Sequence, residues 1–222
     1  MEPSRTVRSL VTAPRVRLGA LAFAVAGVLF VLYPAVRPWA DESTAEGATA
    51  ALGSTAWVYS HLFAMVGFVL VPIGLLALYG VVARTRAEPV ALAAVVAGWL
   101  GAGLTLPYYG AEDFGLHAVG RAAADGGAVD VLDLAEAVRF GPVAVTTFGI
   151  GLIALGVAAV LAAVAIWRSG VLPRAGGLLF AAGFVLFLPQ FYTPPAARIG
   201  HGVLLGAGCL WVAWLLWRSA RR

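Results

Sequence analysis

Long apolar stretches alternate with short polar ones along almost the whole of this chain. Six of them, 18–36, 57–81, 89–108, 142–167, 175–192 and 197–217, come close to or exceed the length needed for a crossing. An α-helix needs about 20 residues to traverse roughly 30 Å of hydrocarbon. The pattern therefore predicts an all-α polytopic membrane protein, a six-helix transmembrane bundle forming one domain over residues 1–222. One long connection interrupts it, residues 110–140 between helices 3 and 4. This loop reads as two short helices split by Asp125-Gly126-Gly127, because paired glycines punctuate helices. In the second, Val131, Leu134 and Val138 recur at i, i+3 and i+7. That predicts a helix over 129–139 with those residues toward the bundle or bilayer, and Asp133 and Glu136 toward water.

The charges orient this pattern. Arg5, Arg8, Arg15, Arg17, Arg84, Arg86, Arg168, Arg174, Arg218, Arg221 and Arg222 fall on one side of the predicted bundle. Only Arg37, Arg121, Arg139 and Arg198 fall on the other. Basic residues flank the cytoplasmic ends of membrane helices. Both termini are thus expected in the cytoplasm, and 110–140 outside the cytoplasmic membrane. The first stretch reads as a retained helix rather than a cleaved signal peptide. It is longer than a signal's apolar core, and Pro38-Trp39-Ala40 is a poor cleavage site. Trp39, Trp57, Tyr59, Tyr108, Tyr109 and Tyr192 are expected in an outer aromatic belt, with Trp167, Trp214 and Trp217 near the inner one.

Composition agrees and removes several chemistries. The chain is 61% hydrophobic and 12% charged, whereas soluble domains are about a quarter charged. Its net charge of +4 sits at the ends of apolar runs, so no nucleic-acid partner is expected. All fifteen basic residues are arginine, which excludes a Schiff-base lysine. The single cysteine, Cys209, excludes paired-cysteine redox chemistry and cysteine-rich metal sites. Gly98-x-x-Gly101 and Gly202-x-x-x-Gly206 place small residues on helix faces. They read first as tight packing within the bundle, and second as a homo-oligomer contact. A faint repeat, Leu106-Pro107-Tyr108-Tyr109 before His117 and Leu188-Pro189-Gln190-Phe191-Tyr192 before His201, reads first as chance recurrence of short apolar motifs and second as a duplicated hairpin.

Candidate chemistry collects at the outer end. No Asp, Glu, Arg or His falls near the centre of a predicted span, which argues against an ion-coupled pump. His61, His117 and His201 lie at similar depth on three elements and are expected to converge on one outward-opening cavity. Two cofactors fit such an arrangement: a zinc ion on the three imidazoles, or a haem held between His61 and His201. Asp113, His117 and Arg121 are four residues apart, a stripe that reads first as a solvated helix face and second as one in which Asp113 orients the His117 ring. Glu112 and Asp113 beside Tyr108 and Tyr109 are the candidate acids, with His117 the third candidate catalytic residue. The expected pocket adds Tyr108, Tyr109, Arg121, Gln190, Tyr192 and Arg198. No GxSxG, HExxH or phosphate-binding loop is present.

The stretch Leu106-Pro107-Tyr108-Tyr109-Gly110-Ala111-Glu112-Asp113-Phe114-Gly115-Leu116-His117, with Ala197-Arg198-Ile199-Gly200-His201-Gly202, resembles a group of small uncharacterised multi-pass membrane proteins of actinobacteria. The resemblance covers most of the chain. It implies an inner-membrane location and brings no activity with it. The three histidines also invite comparison with the ceramidase and adiponectin-receptor group of membrane zinc hydrolases, whose C-terminal paired-histidine motif is missing here. The leading expectation is a non-enzymatic protein that binds, senses or passes a lipophilic small molecule at the outer leaflet. The alternatives are a metal-dependent hydrolase or acid-initiated lipid-modifying enzyme, and a structural subunit.

Overall fold

The computed structural model describes residues 12–221, so Arg5, Arg8 and Arg222 of the charge argument lie outside the described residues. Among the described residues nine α-helices follow one another: α1 (Ala13–Val36), α2 (Ala45–Leu52), α3 (Thr55–Val82), α4 (Glu88–Gly110), α5 (Leu116–Ala124), α6 (Val131–Phe140), α7 (Pro142–Ser169), α8 (Leu178–Val185) and α9 (Pro195–Ser219). No strand occurs among the described residues. Proline stands in the first turn of α1, α4, α7 and α9, where its missing N–H costs no helical hydrogen bond. The α7 helix ends on Gly170 at φ 71°, the left-handed position that closes a helix without a Cβ clash.

Among the described residues five helices are long and apolar enough to cross a membrane: α1, α3, α7, α9 and the run from Glu88 to Ala124. The sixth stretch expected from the sequence, 175–192, is not a sixth such helix. It has a 3-10 turn at Arg174–Gly177, eight residues of α-helix, and a second 3-10 turn at Pro189–Tyr192. Pro189 has no N–H for the Val185 carbonyl, which weakens the helix there. Pro34, Pro72 and Pro107 are accommodated inside α1, α3 and α4, so the missing bond alone does not end a helix. The broken segment still runs antiparallel to α9, with Gly176 against Leu215, Gly183 against Leu205 and Gln190 bonded to Arg198.

Packing follows from small residues and phenylalanines. The α1 helix lies between α3 and α9, α4 lies between α3 and α7, and α8 lies against α7 and α9. A Cβ added at Gly206 would stand 2.8 Å from the Gly27 carbonyl oxygen, and one at Gly202 2.8 Å from that of Phe30. The Gly202-x-x-x-Gly206 face is therefore taken up by α1 within the chain. Substituting Gly206 with leucine is expected to force α1 and α9 apart at about 1–3 kcal/mol, read as a lowered unfolding midpoint in detergent. Phe30 meets Phe68 at 5.3 Å and Phe184 at 5.8 Å, edge to face, in the interior. Leu18, Leu21, Val96, Leu100, Ile150, Ile153 and Val203 instead point away from the protein. An apolar surface of this kind needs lipid rather than water around it.

At one end the bundle carries a cap of α2, α5 and α6. Its own small core holds Ala48, Ala51, Leu52, Trp57, Leu116, Val131 and Ala135. The two short helices of the 110–140 connection are present, split at Asp125–Gly127 as expected. The inward face of α6 is Val131, Ala135 and Val138, with Asp133 and Glu136 exposed; Leu134 is also exposed and does not pack into the bundle. The cap helix α2 had not been anticipated. Thr44, whose hydroxyl accepts from the Gly47 N–H at 3.1 Å before an alanine-rich run, is the signal that marks it.

Candidate functional site

Beneath this cap lies a cavity of about 600 Å³, within the roughly 300–1,000 Å³ range of pockets that hold one small molecule. Its charged lining comes from four places in the chain: Arg37 just after α1, Glu42 before α2, Arg139 near the end of α6, and Arg198 in the first turn of α9. Glu112 joins them through a local irregularity. The α4 helix does not stop at Gly110 but enters a single π turn, Ala111–Gly115, before α5 continues. The extra residue of a π turn re-aims the side chains that follow it. Glu112 lines the cavity, while Asp113 is fully buried outside it.

The charges interlock. Arg139 donates from Nε to Glu112 Oε1 at 2.8 Å and from Nη2 to Glu112 Oε2 at 3.2 Å, and also from Nη2 to Glu42 Oε2 at 2.8 Å. Arg37 donates to the other Glu42 oxygen at 2.6 Å. Trp57 is the platform beneath both arginines, whose guanidinium carbons stand 4.7 and 5.7 Å from its ring. Its indole N–H donates to the Glu112 carbonyl at 2.8 Å. Burial by itself would raise the Glu42 carboxyl, but Arg37 and Arg139 outweigh it and hold the group below its ordinary value. Burial would likewise lower Arg139, and Glu112 and Glu42 outweigh it and raise the guanidinium.

A depressed carboxylate stabilises the fold above its unfolded-state value and loses that contribution as pH falls through its folded-state value. The stability gap between the protein and Glu42→Gln should thus stay level above the ordinary 4.5 and narrow only below it. Unfolding midpoints from pH 7 down to 3 measure this; a gap that closes above pH 5 would contradict the pairing.

Aromatic residues complete the chamber. Tyr108 stacks on Phe148 at 4.0 Å and its hydroxyl donates to the Arg139 carbonyl at 3.3 Å. Tyr109 donates to the Tyr33 hydroxyl at 3.4 Å. Phe140, Val145, Leu188, Phe191 and the highly exposed Tyr192 form the apolar wall and mouth. His61 also lines the cavity. Its Nδ1–H donates to the Trp57 carbonyl at 2.8 Å, which leaves Nε2 with its lone pair.

Of the expected pocket, Tyr108, Tyr109, Tyr192 and Arg198 line this cavity. Gln190 is buried beside it and accepts from Arg198 Nε at 3.1 Å. Arg121 does not belong: it faces away and pairs loosely with Asp125 at 3.8 Å. Trp57 and Tyr109, placed in an aromatic belt by sequence, are interior residues, whereas Tyr59 and Tyr192 are exposed. Arg37, Glu42, Arg139 and Trp57 are the functional candidates that sequence reasoning missed. The few arginines on the otherwise arginine-poor side, Arg37, Arg139 and Arg198 among them, were the available signal.

The three histidines do not converge. His117 lies under α2 and donates from Nδ1 to the Leu52 carbonyl at 2.7 Å. His201 donates from Nε2 to the Gly183 carbonyl at 2.7 Å and packs on Phe187. Each imidazole thus ties its own helix to a different carbonyl. Among the described residues no group of three or more His, Cys, Asp or Glu side chains could hold a metal ion. The Nε2 that His201 would turn to a haem iron is engaged with backbone. The Asp113-His117-Arg121 stripe is likewise broken up, because the π turn displaces Asp113 from the regular four-residue spacing. Neither Asp113 oxygen has a hydrogen-bond partner among the described residues. Both Glu112 oxygens accept from Arg139, the opposite of what a proton donor requires.

Comparison with known proteins brought no match: no family model, curated protein or solved structure is similar to the chain. The fold itself defines the class. Five long apolar helices, a lipid-suited exterior and a charged, aromatic chamber under one end make a helical multi-pass membrane protein with an internal cavity.

Proposed function

We propose that this protein binds an amphipathic small molecule in the chamber beneath its cap, at the outer leaflet of the cytoplasmic membrane, without transforming it. The observation that carries this reading is the mixed lining of the cavity. Arg37, Glu42, Arg139, Arg198 and His61 supply its polar groups, and Phe140, Val145, Phe148, Leu188 and Phe191 its apolar surface. A ligand with a polar head and an apolar body satisfies both, and water alone does not. The exposed Tyr192 and Phe140 at the mouth offer a lateral route from lipid. A catalytic role is supported less well, since Glu112 is clamped by Arg139, and Asp113 and His117 lie outside the cavity.

The topology within this proposal is six crossings with both termini cytoplasmic. It rests on the five long helices, on the broken segment antiparallel to α9, and on arginine asymmetry. Segmented helices occur in membrane proteins where they line a cavity, as Leu188 and Phe191 do here. A reporter that works only in the cytoplasm should be active when fused after Arg222 and silent when inserted at Gly126-Gly127. The reverse pattern would overturn the orientation.

Ligand binding is tested by native mass spectrometry on gently solubilised protein. A co-purifying amphiphile near one per chain is expected, and Gly149→Trp, which narrows the chamber, should displace it. If neither co-purified nor added amphiphiles bind, the reading fails.

A further inference from the structure

We infer that the ligand of this chamber is an anion, its carboxylate or phosphate head received by Arg198. This rests on the cavity reading above and names the chemistry of its occupant. The cavity holds three guanidinium groups and two carboxylates. Glu42 and Glu112 are both taken by Arg37 and Arg139. Arg198 is the remaining cation, and it has no carboxylate partner among the described residues. An unpaired charge in a largely apolar setting is costly unless something compensates it.

The setting of Arg198 is built rather than incidental. Its guanidinium carbon stands 4.9 Å from the Trp39 ring and 5.2 Å from that of Phe191. Its Nε is held by Gln190 Oε1 at 3.1 Å, and the backbone N–H of Gln190 is in turn bonded to the Leu186 carbonyl at 3.0 Å. Aromatic contacts and the Nε bond hold the group, while its two terminal nitrogens have no partner among the described residues. That edge is the fork that grips a carboxylate or phosphate through two parallel hydrogen bonds. The Tyr33 hydroxyl on the same cavity accepts from Tyr109, so its own hydrogen is free to serve as a further donor. The break at Pro189 acquires a role here, since the turn after it presents Gln190 and Phe191 to α9.

The test uses the full chain in a nonionic detergent, with unfolding midpoint and calorimetry as readouts. Four probes are compared: oleate, dodecyl phosphate, the uncharged oleyl alcohol, and inorganic phosphate alone. Oleate or dodecyl phosphate should bind and raise the midpoint, and oleyl alcohol should bind much more weakly. Arg198→Gln should weaken the anionic amphiphile by roughly thirtyfold or more, as removal of one partner of a buried charge pair does. Arg198→Lys keeps the charge but loses the fork, and should fall between the two. Its midpoint without ligand, matched to the parent, shows that it folds. Equal binding of oleate and oleyl alcohol, unaffected by either variant, would overturn the anion inference and leave the cavity reading standing. Binding of none of the three amphiphiles would overturn both. Inorganic phosphate binding as tightly as dodecyl phosphate, and lost in Arg198→Gln, would support the anion seat and identify its source as a free ion, not a lipid.

Discussion

Replacement of Arg139 by methionine should lower stability by about 3 kcal/mol, at the lower end of what removal of one partner from a buried ion pair costs. The side chain is 19% exposed, so water offsets part of the loss. What remains is two carboxylates, Glu42 and Glu112, facing one cavity with only Arg37 close enough to pair with Glu42. The penalty comes mainly from those stranded charges and less from the lost attraction. Arg139→Met combined with Glu112→Gln should therefore cost less than Arg139→Met alone. Denaturation in mixed micelles, followed by tryptophan fluorescence and circular dichroism, measures both. A single-variant loss under about 1 kcal/mol, or a double variant worse than the single, would mean that the network is not the keystone of the cap.

Trp57→Ala should be at least as damaging, about 3–5 kcal/mol, the usual cost of truncating a fully buried tryptophan. Its ring is wholly inaccessible. It supports two guanidinium groups and lies 4.3 Å from the His61 ring, and its N–H satisfies the Glu112 carbonyl. Trp57→Phe separates these roles. It keeps an aromatic platform but strands the carbonyl, at about 1–3 kcal/mol. Cavity binding should weaken in both variants because the arginines above the ring lose their support. An alanine variant that unfolds like the parent would show that the cap does not depend on this residue.

The contrast between Pro107 and Pro189 explains why the repeat seen in the sequence does not become a repeat in space. Both prolines precede an aromatic pair and later a histidine. After Pro107 the chain continues through the π turn into α5, because Leu116 has the small core of the cap to bury against. After Pro189 the chain meets Thr193-Pro194-Pro195, which starts α9 instead. Local sequence sets where a helix is weakened; the surface available beyond that point sets whether it continues.

What the sequence determined by itself was whatever depends on run length and on local order. The apolar runs dictated five long helices suited to lipid, and Asp125-Gly126-Gly127 placed the split between α5 and α6. Pro189 lay inside a run that hydropathy alone reads as continuous, because hydropathy counts side chains and not missing N–H groups. Tertiary structure alone decided which charges meet. Glu42, Glu112 and Arg139 are joined across separations of 97 and 27 residues, and no local pattern encodes such a pairing. The histidines illustrate the same limit. Similar depth along three elements did not determine their rotation about the helix axes, and rotation sent each ring to a different carbonyl. The physical reason is that a hydrophobic run fixes a helix's position along the membrane normal, whereas azimuth is set by the small residues and ion pairs through which helices contact one another.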